Sequence, residues 1–257
     1  MVGLCSTDRG RRKDEAAGWK PCPRRGWRAD LGQSDRHEIR ASRTKLMAHI
    51  PDGLLSLPVV VGGGVAAAAA VAVALGRLEE ERIPQTAILA AMFFVASLFA
   101  VPVGPSSVHL LLSGLMGLTI GLATFPAVMV GLLLQALLFG FGGLTTLGVN
   151  TINIALPGVV FGWLFLPFVR RLPPFSAGVV GFICAALSVA GTGCGVMLAL
   201  VLSSSDFVPS VKIIGITYLP LMVGEGLITG FAIAFLKRVR PEIFASQPPL
   251  AQRNHTQ

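Results

Sequence analysis

Charge is what this chain has least of. Only 13% of its 257 residues are Asp, Glu, Lys or Arg, against 53% hydrophobic, and the mean hydropathy is +0.71. A water-soluble domain carries about a quarter of charged residues, so the composition excludes one. No Gly-x-x-x-x-Gly-Lys-Ser/Thr stretch occurs, so the chain does not hydrolyse ATP by way of a phosphate loop. There is no His-Glu-x-x-His and no Ser, His and Asp set within the apolar stretches, which leaves an intramembrane hydrolase without support. Cysteine is sparse: Cys5, Cys22, Cys184 and Cys194. The last two share one apolar stretch, where ten residues of helix put them about 15 Å apart, too far for a disulfide and without metal-knuckle spacing.

The positive charge that is present is local. Residues 1–46 hold 12 of the 21 Lys and Arg and 6 of the 13 acids, which makes 12 − 6 = +6 of the net +8. A basic balance confined to one end does not call for a nucleic-acid partner. This leader has Arg11-Arg12-Lys13 and Arg24-Arg25 but no apolar run, so it is not a secretory signal peptide. The expected organisation is a basic leader over 1–46, disordered or upstream of a true start at Met47. A transmembrane domain follows over 47–244, then a polar cytoplasmic tail over 245–257.

From Leu54 onward apolar runs of near-spanning length follow one another, separated by short Gly, Pro and charged punctuation. Seven are counted: 54–75, 84–101, 106–123, 125–141, 152–169, 176–202 and 213–236. Backbone groups in lipid must be satisfied within the segment, so the fold class expected is all-α, a polytopic bundle of about seven transmembrane helices. With Met47 outside, the inner loops carry Arg77, Arg82, Arg170, Arg171, Lys237, Arg238 and Arg240, and the outer loops only Lys212. That asymmetry obeys the positive-inside rule, whereas a basic leader on the outside opposes it. Gly62-Gly63-Gly64 and Ala66 to Ala70 give the first span a small-residue face, suited to packing inside the bundle or to docking a partner membrane subunit.

Polar groups within the apolar part are few, and each is a functional candidate because lipid makes it expensive. They are His49, Asp52, His109, Gln135, Asn150, Asn153 and Glu225. With initiation at Met47, removal of the methionine before the small Ala48 leaves His49 as residue two. The Ala48 amine, the His49 amide nitrogen and the His49 imidazole then close a five- and a six-membered chelate ring in one plane. Three such nitrogens favour square-planar Ni(II) or Cu(II) and accept Co(II), whereas Zn(II) prefers a tetrahedron. His109 is the natural fourth donor, being the only other histidine outside the leader and the tail, though a lone histidine in an apolar stretch also serves as a hydrogen-bonded core residue. Asp52 suits either an acceptor for an imidazole N–H or a Pro-Asp-Gly turn. The segment Gly142 to Asn150 is expected as an outer loop that covers the metal, folds into the mouth of the bundle or merely connects. Glu225 either steers a cation inward or bonds neighbouring helices.

Four stretches together resemble the CbiM/NikM family, the substrate-specific membrane subunits of energy-coupling factor cobalt and nickel transporters. They are Met47-Ala48-His49-Ile50-Pro51-Asp52-Gly53, Pro105-Ser106-Ser107-Val108-His109-Leu110, Gln135-Ala136-Leu137-Leu138-Phe139-Gly140 and Gly142-Gly143-Leu144-Thr145-Thr146-Leu147-Gly148-Val149-Asn150. The resemblance implies a seven-helix bundle whose cargo, Ni(II) or Co(II), is held by Ala48, His49 and His109, with no permanently bound cofactor. It implies a coupling transmembrane subunit and ATP-binding cassette ATPase subunits as partners, and admits a small accessory membrane subunit. The setting implied is a bacterial or archaeal cell membrane, the metal site outside and the carboxyl terminus cytoplasmic. Two positions depart from the family pattern. Ala48 intervenes between Met and His, and Phe141 stands where a histidine is expected. The function expected is metal binding for an ATP-driven importer serving cobalamin synthesis or nickel enzymes. The alternative is a stand-alone secondary transporter driven by an ion gradient, with Glu225 as its coupling carboxylate.

Overall fold

The structure is a computed structural model; it describes residues 46–47, 52–53, 55–98, 100–103, 106–140, 142–203 and 208–244. Among the described residues seven α-helices follow one another: α1 (Leu57–Gly76), α2 (Ile83–Leu98), α3 (Ser113–Ile120), α4 (Thr124–Phe139), α5 (Leu147–Arg171), α6 (Pro174–Ser203) and α7 (Val208–Val239). Three short strands, β1 (Leu46–Met47), β2 (Ala100–Val103) and β3 (Ser106–His109), form a small sheet in the order β1-β3-β2. The fold is thus an all-α membrane bundle with a sheet added at one end.

Proline and glycine set the helix limits. Pro58 sits in the first turn of α1, where a missing N–H costs nothing. Pro173 holds Leu172 in extended conformation and stops α5, and Pro174 opens α6 at once. Gly140, at φ 66°, ends α4 in the left-handed conformation that only glycine adopts freely.

Hydrophobic side chains cover the outside of the bundle. Trp163, Phe175 and Phe231 are at least three-quarters exposed, while Gln135, Thr146, Ser188 and Glu225 are buried. That inversion suits a lipid solvent and no aqueous one. Among the described residues five stretches are long and apolar enough to cross a membrane: Leu57–Gly76, Ser113–Phe139, Leu147–Arg171, Pro174–Ser203 and Tyr218–Val239. The protein is a multi-pass membrane protein.

The expected count of seven spans is not reproduced among the described residues, for two reasons: α2, with 16 residues, falls short of a spanning helix, and the third run is broken. Ser106–His109 is strand, and α3 has only eight residues, or about 12 Å against the roughly 30 Å of a hydrocarbon core. A 3-10 turn at Gly121–Ala123 joins α3 to α4, so two expected spans form one 27-residue stretch. All eight residues of α3 are buried; a helix apolar on every face is a core element. It packs on α5 through glycine, since a Cβ on Gly117 would overlap the Gly158 carbonyl and one on Gly158 the Ser113 carbonyl. The small-residue face of α1 is used in part the same way: Gly63 and Gly64 lie against Val149 and Gly148 of α5.

One end of the bundle collects the basic side chains. Arg77, Arg82 and Arg170 border a cavity of about 300 Å³ there, beside the end of α3, the 3-10 turn that follows it and Ile243. The Lys237 ammonium caps α5 by donating to the carbonyls of Val169, Arg170 (2.9 Å) and Leu172 (2.6 Å), and Arg170 Nε donates to the Phe244 carbonyl at 2.7 Å. The sheet lies at the opposite ends of these helices.

Candidate metal site at the sheet end

β2 and β3 form an antiparallel hairpin in which His109 stands opposite Ala100. β1 joins β3 in parallel, with Leu46 opposite Ser106 and Met47 opposite Ser107. A parallel pair requires a long crossover, here α1, α2 and β2, so a segment before the first helix meets one that follows the second. Met47 lies two residues before His49, and Ser107 two residues before His109. Ala48 and His49 themselves, like Phe141, lie outside the described residues.

His109 is 7% exposed, and its Nδ1 is 3.1 Å from the Leu110 carbonyl. With the proton on Nδ1 donating to that oxygen, Nε2 carries the lone pair. Burial pushes the imidazole below its ordinary pKa, and the Leu110 carbonyl opposes this in part. The ring is therefore neutral at neutral pH, which is the form that binds a metal ion.

Asp52 lies in an exposed turn just before α1. Its Oδ1 accepts the backbone N–H of Thr145 at 3.0 Å and the Thr145 hydroxyl, tying the start of the bundle to the segment before α5. The Gly142 to Asn150 stretch is accordingly a short bent connector over 142–146 followed by the first turn of α5. Asn150 is buried in that turn, its Nδ2 3.4 Å from the Thr146 hydroxyl. Glu225 sits apart from these, inside α7. Its Oε1 accepts from the N–H groups of Leu111 and Leu112 (2.8 Å to Leu112) and its Oε2 from Leu112 at 3.0 Å. Gln135 donates to the Ser97 hydroxyl at 2.6 Å and links α4 to α2. Among the described residues no three of His, Cys, Asp and Glu converge as a metal cage.

A family model described as a cobalt uptake substrate-specific transmembrane region, CbiM, matches residues 49–243. The chain belongs to the CbiM family. Relatives in and around that family include a Haemophilus influenzae protein named for metal transport, 38% identical over 76% of this chain and 96% of its own length. A Methanocorpusculum labreanum protein named for cobalt transport is 34% identical over 65% of this chain and 77% of its own. A solved transition metal transporter superposes with a TM-score of 0.60 at 26% identity, covering 74% of this chain and 93% of that one. The relatives are named as transport proteins and not as enzymes, and their names include both cobalt and nickel.

Within the CbiM frame, three partners escaped the reading of the sequence. Thr145 is one of several hydroxyls in its segment, and only the fold selects it for Asp52. Ser97 carries no polar neighbour in sequence to mark it as the acceptor for Gln135. Leu112, at φ 50°, adopts a left-handed backbone that nothing in its apolar context announces.

Proposed function

We propose that this chain is the metal-binding membrane subunit of an ATP-driven importer of Ni(II) or Co(II). The metal sits at the sheet end, which faces outside, and the basic end and the carboxyl terminus face the cytoplasm. The observation that carries the reading is the buried His109 at the end of β3, its Nδ1 3.1 Å from the Leu110 carbonyl and its Nε2 left as the donor. Its Nε2 supplies the fourth nitrogen to a plane formed by the Ala48 amine and the amide and imidazole of His49. Four nitrogens in a plane favour Ni(II), with Co(II) close behind. The family match beginning at His49 supports this segment as part of the functional unit. ATP hydrolysis belongs to separate cassette subunits, reached through a coupling membrane subunit, because this chain has no phosphate loop.

The chelate needs a free amine at Ala48, so the decisive experiment is amino-terminal sequencing of the membrane-extracted protein coupled to Ni(II) titration. The expected result is a terminus at Ala48, with tight binding lost when residues are added before it or when His49 is replaced by Ala. Equal binding by a form that begins at Met1 overturns the chelate. Reconstitution separates the ATP-driven importer from a secondary transporter: uptake by this chain alone under an ion gradient, with no ATPase present, overturns the former.

A further inference from the structure

Non-helical backbone in a bilayer has to find its hydrogen-bond partners inside the protein. This chain has such a stretch between the end of β3 at His109 and the start of α3 at Ser113. Leu111 and Leu112 within it are fully buried, and Leu112 is held at φ 50°. A left-handed backbone is unfavourable for leucine and persists only where the surroundings impose it. What meets these two residues is Glu225, whose carboxylate accepts from both N–H groups and takes the Leu112 N–H on both oxygens.

Glu225 is itself fully buried and pairs with no cation among the described residues. It lies twelve residues before Lys237, about 18 Å along α7 from the basic end and so deep in the bundle. A carboxylate at that depth is retained only where it has a task. Its oxygens accept from the Leu111 and Leu112 N–H groups, and the Leu111 N–H belongs to the same planar peptide unit as the Leu110 carbonyl that holds the His109 Nδ1. The carboxylate, the two N–H groups, the Leu110 carbonyl and the imidazole thus form one continuous chain of contacts.

We propose that Glu225 is a positioning residue for the metal site: by fixing the Leu111–Leu112 backbone it sets the peptide that orients the His109 ring and presents Nε2 to the cargo ion. The inference rests on His109 being a metal ligand. Glu225 touches neither the metal nor its ligands, and its influence arrives only through the backbone. Loss of a group that orients a ligand typically weakens metal binding 10- to 100-fold.

The test uses the full chain in detergent, titrated with Ni(II) alone, with calorimetric affinity, the visible ligand-field band and the metal-free melting temperature as readouts. Glu225→Ala is expected to weaken Ni(II) binding by about 10- to 100-fold and to shift or broaden the band. Glu225→Gln keeps the length and one acceptor oxygen, so it recovers part of both. A Glu225→Ala protein that melts lower but binds Ni(II) with native affinity and spectrum overturns the proposal, because its role is then only to hold the fold. If Glu225→Ala does not fold, Glu225→Gln decides: native affinity overturns the proposal, and weaker binding at an unchanged metal-free melting temperature supports it. His109→Ala, measured in parallel, separates the two readings. Native binding by that variant overturns the site itself, whereas lost binding there with native binding in both Glu225 variants overturns the positioning role alone.

Discussion

Asp52 and Thr145 are 93 residues apart in sequence and joined by two hydrogen bonds to a single carboxylate oxygen, one from the Thr145 backbone N–H and one from its hydroxyl. The bond pair clamps the turn entering α1 to the connector entering α5, at the end of the bundle that carries His109. Replacing Thr145 by Val removes the hydroxyl donor and keeps the backbone one. At an exposed position this is expected to cost about 1 kcal/mol, roughly five-fold in an equilibrium that depends on the clamp. Asp52→Ala removes both bonds and is expected to weaken Ni(II) binding more than Thr145→Val does. Isothermal titration of the two variants checks the order.

The His109 imidazole predicts a pH dependence of stability for the metal-free protein. Its folded pKa lies below the ordinary value of 6.5 because burial disfavours the cation. As pH falls through about 6.5 the unfolded chain takes up a proton that the folded chain refuses, so the unfolded state binds more protons and stability drops. The loss is complete once pH is below the lowered folded value, and the full stability is present above the ordinary one. Denaturant midpoints between pH 7.5 and mildly acidic pH should fall in the native chain and stay flatter in His109→Gln.

Contact between α3 and α5 leaves no room for a methyl group. Gly117→Ala and Gly158→Ala each drive a Cβ into a backbone carbonyl, which cannot swing aside as a side chain can. Either substitution is expected to destabilise by about 2 kcal/mol or more, the range of overpacked cores. Gly62 of α1 has nothing within 4 Å of its Cβ direction, so Gly62→Ala is neutral or slightly stabilising by helix propensity. Thermal melts of the three variants in detergent measure the contrast.

Gln135 and Ser97 are both buried, and the Ser97 hydroxyl in turn donates to the Phe94 carbonyl at 2.6 Å. Ser97→Ala strands the Gln135 amide and is expected to cost about 1–3 kcal/mol. Adding Gln135→Leu removes the stranded group, so the double variant should melt above Ser97→Ala alone. A strictly additive pair of losses sinks this account of the link between α2 and α4.

The helices were legible because lipid demands apolar runs and the runs are long. The break between Ser106 and Leu112 was not, because hydropathy does not distinguish a strand and a short core helix from one continuous span when the run is apolar throughout. Ala48, His49 and His109 were read in the sequence as the chelating donors, and the family match covers both histidines. The roles of Asp52 and Glu225 stayed open in sequence for one reason. Each is decided by backbone donors from a distant segment, Thr145 for the first and Leu111 with Leu112 for the second, and a carboxylate carries no local sign of which distant N–H it meets.

The bonding of Asp52 to Thr145 also sets an order of events during synthesis. Asp52 leaves the ribosome before α1 but has no partner until Thr145 has been made, after α4. Loop closure over 93 residues is slow compared with forming a helix hairpin. The turn that opens the domain is therefore among the last parts to be fastened, onto helices already inserted in the membrane.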